Sequence, residues 1–257
     1  QPCGNACNVS CEENCNQSGL FVSGELMFFK YHRADGVRVG GNLPAENADF
    51  NYELTPRFTA GWAGRDGLGV RGRYWQFDHA AGANEGGGSH IEVDTYTIDL
   101  EAYDLIDLNC DWQLEISGGV RYNDFRESLF NPALTTVHTS ANYGGIVGLE
   151  AIRSVTDCLA VWGRFRGSLL MGDRRSQDGF ENMVLRDATQ GVLELSIGSE
   201  YNQKLSCGSV VFVRSSAEWQ HWMDYTSEFD LGIAGADVEG AGDVGFGGFG
   251  IQAGIRR

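Results

Sequence analysis

The sequence predicts an antiparallel transmembrane β-barrel of about ten strands, and three observations support this prediction. Apolar and polar residues alternate with a period of two along many segments, as they do in a β-strand with one apolar face. No run of about 18 apolar residues, the length that a transmembrane helix needs, occurs in the chain. The 257 residues include 36 Gly and only 4 Pro, a composition typical of β-proteins with tight turns.

Ten segments carry the alternating pattern, and most are longer than the usual strand of about five or six residues. In the clearest segment, Trp112–Tyr122, one face is apolar and the other holds Gln113, Glu115 and Arg121. Tilted strands need this extra length to cross a bilayer. The predicted strands are residues 19–31, 50–63, 68–78, 92–105, 111–123, 142–153, 159–171, 190–202, 209–222 and 245–256.

The connections between these segments are alternately short and long. Short turns are predicted at 64–67, around Asn109 and Cys110, at 155–158 and at 203–208, and long loops at 32–49, 79–91, 124–141, 172–189 and 223–244. This alternation is typical of outer-membrane barrels and would place both termini in the periplasm. An even strand number closes the sheet without an edge. We therefore expect a Cys-rich periplasmic leader over 1–18 and a barrel over 19–257, with a signal peptide already removed.

The charged face of the strands has two possible environments. In a soluble barrel it would be the solvated surface, whereas in a membrane barrel it would form a polar network in the lumen. In that network we expect Arg71, Arg73, Arg164 and Arg166 to pair with Glu or Asp from neighbouring strands. The candidate lumen residues are Arg71, Arg73, Asp99, Glu101, Glu115, Arg121, Glu150, Arg164, Arg166, Glu194, Arg214 and Glu218. With Glu25, Glu53, Arg57, Glu200 and Arg256 the lumen would hold eight Arg and nine acids, a net charge of −1. Because barrels of about eight strands are filled by side chains, structural filling is favoured over an ion path.

Aromatic residues favour the membrane barrel. They lie on the apolar face in two groups, one at each end of the strands, as in the girdles of bilayer-spanning barrels. The group near the long loops is Tyr52, Tyr74, Tyr96, Tyr122, Tyr143 and Trp219, and the group near the short turns is Trp62, Trp112 and Tyr201. Pro56, on the apolar face of the second strand, predicts a bulge or a break there, because Pro cannot donate to the ladder.

Seven cysteines form a second candidate site. Cys3, Cys7, Cys11 and Cys15 recur every four residues, and Cys110, Cys158 and Cys207 each lie in or beside a short turn. All seven map to the periplasmic side, an oxidising compartment. Successive turns lie about 10 Å apart, beyond the ~7 Å reach of a disulfide, so each turn Cys is expected to pair with the leader. The one leader Cys that is then left over could link two protomers or stay free. A metal or cluster site is disfavoured because the spacing matches no standard pattern.

Two weaker candidate sites are His–Asp pairs of a surface protease and a divalent-ion site in an acidic loop. A surface protease could use Asp78 with His79, or His221 with Asp224, but the two pairs lie far apart in strand order, so we expect no enzyme and no cofactor. The last long loop could bind divalent ions, but its spacing fits no EF-hand, and solvated charge is favoured. Its acidic residues are Asp224, Glu228, Asp230, Asp237, Glu239 and Asp243. The net charge of −16 argues against nucleic acid as a partner.

Several strand signatures resemble those of the Legionella-type pore-forming major outer-membrane protein family, especially its planctomycete-like members. They are Gly69–Asp78, Ser117–Tyr122, Gly148–Ala151, Gly163–Asp173, Glu218–Trp222 and Gly247–Arg257. The resemblance runs from about Gly19 to the end and implies a Gram-negative outer-membrane barrel with a pore-forming activity. The Cys-rich start is not part of the family pattern.

The sequence leaves two classes of function open. The first is a narrow porin-like channel or a barrel that seals and stiffens the outer membrane, in contact with lipid and lipopolysaccharide. The second is a scaffold whose disulfide-clamped leader joins barrels into a homo-oligomeric array or holds a periplasmic partner.

Overall fold

The computed structural model describes most of the chain, and its regular secondary structure there is β-strand. The described residues are 18–33, 50–82, 90–131, 134–177, 182–205, 208–226, 230–231, 236–237 and 242–257. In these ranges no helix has the length and hydropathy to cross a membrane. The strands are β1 Gly19–Arg33, β2 Glu53–Ala63, β3 Leu68–Gly82, β4 His90–Asp107, β5 Trp112–Asn131, β6 Leu134–Ser154, β7 Leu159–Gln177, β8 Asn182–Lys204, β9 Val210–Thr226, β10 Asp230–Leu231, β11 Ala236–Asp237 and β12 Gly242–Arg256.

Ten of these strands form one closed antiparallel barrel. Its order is β1-β12-β9-β8-β7-β6-β5-β4-β3-β2, and β1 closes the sheet by pairing with both β2 and β12. The two-residue strands β10 and β11 pair only with each other, in the connection between β9 and β12. The predicted fold class and strand number are confirmed.

The outer face of the barrel is apolar and the inner face is largely polar, because the apolar positions of neighbouring strands all point outward. Leu169, Ile197 and Val147 are 60–64% exposed on the outside. Neighbouring inward positions such as Arg166, Glu194 and Ser196 are buried. A continuous exposed apolar surface of this kind marks an interaction with membrane or protein.

The strands extend further at the long-loop end than the sequence pattern predicted. The ladder between β5 and β6 continues to Asn131 and Leu134, so the predicted loop 124–141 is wrong. Much of the predicted loop 172–189 is likewise part of the β7–β8 ladder, with a register shift between Gly172 and Arg174. Both faces of these extensions carry polar residues, so pairing persists where the apolar alternation has ended.

Pro56 interrupts the sheet on one side only. The β1–β2 ladder continues through the Leu26–Pro56 pair to Phe29 and Glu53. The β2–β3 ladder, in contrast, ends at the pair of Arg57 and Trp75, next to the Pro. The predicted break therefore occurs on the β3 side, where β3 continues to its end paired with β4 alone.

Candidate functional site

The inner half of the barrel near the short turns holds a buried network of ion pairs, centred on Arg166. Its guanidinium contacts Asp99 and Glu101 and lies 2.8 Å from Glu194. Arg121 shares two of these partners, at 2.7 Å from Asp99 and 2.6 Å from Glu194. All five side chains are at most 5% exposed, so their charges depend on one another for compensation.

A second group of ion pairs is centred on Glu218. Arg57 donates to both oxygens of Glu218, at 2.6 and 2.9 Å, and lies 3.0 Å from Glu25. Arg164 lies 3.5 Å from Glu218 and 3.8 Å from Glu150, which links the group towards β6.

Two further Arg extend the network towards the short turns. Arg71 lies 2.7 Å from both Glu101 and Glu115. Arg214 lies 2.9 Å from Glu150 and also contacts Glu200. Each of the twelve candidate lumen residues thus occupies an inward position, and eleven of them take part in ion pairs.

Arg73 is the exception to the predicted pairing. It is buried at an inward position directly opposite Asp99, yet its Nε and Nη1 have no hydrogen-bond partner. The oxygens of Asp99 already accept from Arg121 and Arg166. The prediction that Arg73 forms an ion pair is therefore wrong, because two Arg from other strands occupy the expected partner.

Towards the long loops the lumen is filled by a cluster of aromatic rings, which we call the aromatic plug. Phe246 lies at its centre, with ring centroids 5.0 Å from Phe77, 5.1 Å from Trp222 and 5.4 Å from both Tyr31 and Trp75. The plug comprises Phe29, Tyr31, Phe50, Trp75, Phe77, Phe125, Trp222, Tyr225 and Phe246, all at most 2% exposed.

Sequence reasoning missed the aromatic plug, although a signal was present. Near the long-loop end several strands are apolar on both faces, as in Leu26–Phe29, where Met27 and Phe29 face inward and Leu26 and Phe28 outward. A run that is apolar on both faces indicates a strand buried on both sides. The same signal occurs at Tyr74 and Trp75.

Two polar groups inside the plug are hydrogen-bonded. The Tyr225 hydroxyl donates to Asn123 Oδ1 at 2.9 Å, and Trp222 Nε1 donates to Gln220 Oε1 at 2.9 Å. The cavity where the plug meets the ion-pair network measures about 10 Å³. That volume holds about one water molecule, so side chains fill the described part of the lumen at this level.

All nine predicted girdle residues face outward. Tyr74, Tyr96 and Tyr122 form a row across β3, β4 and β5, with neighbouring ring centroids 6.3 and 6.0 Å apart. At the other end the Arg153 guanidinium lies 5.6 Å from the Trp112 ring. The remaining members, each at least 41% exposed, are Tyr52, Trp62, Tyr143, Tyr201 and Trp219.

Two of the three turn cysteines, Cys110 and Cys158, lie in described residues. Cys110 follows Asn109, whose Oδ1 accepts from the backbone N–H groups of Asp111 and Trp112 at 2.9 and 3.0 Å. Cys158 lies in the matching turn between β6 and β7. Cys207 and the leader cysteines Cys3, Cys7, Cys11 and Cys15 are outside the described residues, so the predicted pairing with the leader stays a prediction.

The two His–Asp candidates do not form one site. His79 is half-buried beside Phe50 and Phe77 and lies 3.2 Å from Glu53, whereas Asp78 is exposed on the opposite face of β3. His221 stacks on the outward Trp219 ring and lies 3.0 Å from Asp243.

The acidic last loop is only partly described. Glu228 and Glu239 fall outside the described residues, and Asp230 and Asp237 are backbone partners in the β10–β11 ladder. Within the described part of the chain no group of three or more His, Cys, Asp or Glu could hold a metal ion.

Comparison with known proteins identifies the fold. No family model and no curated protein matches the chain. Among solved structures, the outer membrane protease OmpT from Escherichia coli matches with a TM-score of 0.56 at 10% identity, covering 96% of this chain and 99% of that one. The translocator domain of the autotransporter NalP from Neisseria meningitidis matches with a TM-score of 0.50 at 12% identity, covering 96% and 92%. At these identities the likeness concerns the fold alone, which is that of outer-membrane β-barrels.

Proposed function

We propose that this protein is an integral outer-membrane barrel with a closed lumen, which stiffens the membrane and anchors its extramembrane parts. Its immediate partners are then outer-membrane lipid and lipopolysaccharide. The apolar outer face and the two aromatic girdles support the membrane location, since both match the pattern of bilayer-spanning barrels.

The observation that carries the closed lumen is its filling by side chains. Arg166, Asp99 and Glu101 are at most 2% exposed in the ion-pair network, and Trp222 and Phe246 are at most 1% exposed in the aromatic plug. A diffusion pore needs a continuous water path, which this packing opposes. The family resemblance implies a pore, whereas the packing favours a barrel that seals and stiffens the membrane.

A catalytic role has less support. His79 and His221 lie on opposite sides of the barrel wall, so they do not converge on one substrate. We infer that the protein is not an enzyme.

Planar-bilayer recording tests the closed lumen. Wild-type protein, with its insertion verified by protease protection, should give no stepwise conductance. The matched variant W75A/W222A/F246A removes the two Trp rings of the plug and the Phe ring at its centre, and should give small or noisy conductance steps. Stable steps from the wild type would overturn the proposal.

We propose a disulfide-linked scaffold as a second candidate function, supported by the positions of Cys110 and Cys158 in short turns. Both lie at the short-turn rim, where a leader crossing the barrel could reach them. If the remaining Cys links protomers, non-reducing gels should show oligomers that reductant converts to monomers. Monomers alone on non-reducing gels would exclude such a covalent array.

A further inference from the structure

The cavity between the ion-pair network and the aromatic plug is lined by more Arg side chains than acidic ones. It measures about 10 Å³. Four guanidinium groups and one carboxylate line it, from Arg57, Arg73, Arg121, Arg166 and Glu194.

The residues that line this cavity carry several buried N–H donors that have no hydrogen-bond partner. They are Nε and Nη1 of Arg73, Nε of Arg166 and Nε1 of Trp75, all buried. Buried polar groups in folded proteins are almost always hydrogen-bonded, so a cluster of unpaired donors around one cavity indicates a missing acceptor.

The Glu194 carboxylate and the Gln220 side-chain oxygen on the cavity wall are already engaged. Glu194 Oε1 lies 2.6 Å from Arg121, and Glu194 Oε2 accepts from Arg166 at 2.8 Å. Gln220 Oε1 accepts from Trp222. The wall therefore offers donors and positive charge to whatever occupies the space.

We propose that this cavity binds a small monovalent anion, with chloride as the physiological occupant. Arg cannot lose its proton in proteins, so Arg73 keeps its charge in this buried position, where its Nε and Nη1 have no hydrogen-bond partner. A single water molecule accepts about two hydrogen bonds and carries no charge, so it would leave part of the donor set unsatisfied. A halide ion is only slightly larger than water and accepts from several donors at once.

Bromide substitution locates the anion without any variant. The protein is refolded and crystallised with sodium bromide in place of sodium chloride, so that the ion enters before the lumen closes. An anomalous peak beside Arg73 Nε is expected. Density that is unchanged between chloride and bromide would identify water and overturn the proposal.

Thermal unfolding in detergent gives a second test. The wild-type Tm should rise with chloride concentration when gluconate keeps the ionic strength constant, because a ligand that binds only the folded state stabilises it. R73Q should lose this dependence.

R71Q is the matched control, because Arg71 lies two residues away on β3, faces inward and pairs with Glu101 and Glu115 rather than lining the cavity. It should have a lower Tm and the wild-type chloride dependence. The site would be contradicted if the Tm of R73Q still depended on chloride, or if the wild-type Tm did not. If R73Q fails to fold, the bromide experiment decides.

Discussion

Truncation of Phe246 tests the aromatic plug. Its ring is fully buried, with five aromatic rings at centroid distances of 5.0–6.3 Å. A buried Phe→Ala change costs about 3–5 kcal/mol, through lost transfer free energy and the cavity left behind. Because each edge-to-face pair contributes about 0.5–1.5 kcal/mol more, we expect F246A to lie in the upper part of that range, about 4–5 kcal/mol.

Phe249, on the same strand, is the matched control. It faces outward, is 53% exposed and stacks on Phe28 at 5.4 Å. In F249A lipid chains can fill the vacated space, so the transfer free energy of about 1.5–3 kcal/mol is lost without a cavity, and fewer ring pairs are lost than in F246A. The two variants should therefore differ by about 2 kcal/mol, from the cavity and ring-pair contributions.

Urea unfolding from lipid vesicles, followed by Trp fluorescence, measures both variants. Trp75 and Trp222 contact the Phe246 ring, so the emission reports on the plug directly. Equal losses for F246A and F249A, at unchanged urea dependence, would show that the plug is not packed as described.

Three further predictions concern the network, the outer face and the disulfides. R166M should lower the free energy of unfolding by about 3–5 kcal/mol in the same urea assay, because it leaves buried carboxylates uncompensated. R256M removes a side chain that is 43% exposed and should lower it by under about 1 kcal/mol. Similar losses in the two variants would contradict a buried network. I197R places a cation on the lipid face and should cost about 2–4 kcal/mol near the midplane, and a neutral effect would refute the outward register. Mass spectrometry of unreduced peptides should link Cys110 and Cys158 to separate leader cysteines, and a direct Cys110–Cys158 bridge would exclude the clamp.

The strand register could be predicted from the sequence because one face of each strand is apolar. Trp112, Ile116 and Val120 alternate with Glu115 and Arg121, and a shift by one residue would put both charges against lipid. The outward and inward positions in the structure follow from this single constraint.

The plug and the extended hairpins could not be predicted by the same argument. Where Met27 and Phe28 are both apolar, alternation does not distinguish the faces, and the closed barrel decides which one is inside. Where Arg126 and Glu127 are both polar, the pattern resembles a loop although the ladder continues.

The ion-pair partners of individual charged residues also could not be predicted from the sequence. Strand neighbours predict a pair between Arg73 and Asp99, which are opposite each other in the ladder. However, Arg121 lies directly opposite Asp99 on the other neighbouring strand, β5, and Arg166 reaches the same carboxylate from β7, which is not adjacent to β4. Cross-lumen geometry follows from barrel closure and is not encoded in any local pattern.

The six Trp side chains provide the most direct test of which groups face lipid and which fill the lumen. Single-Trp variants are reconstituted in phospholipids with brominated acyl chains, which quench indole emission on contact. Trp62, Trp112 and Trp219 are 39–49% exposed on the outer face and should be quenched. Trp75, Trp162 and Trp222 are at most 5% exposed inside the barrel and should retain their emission. Quenching of Trp162 or Trp222, with protection of Trp112 or Trp219, would contradict the closed, filled lumen.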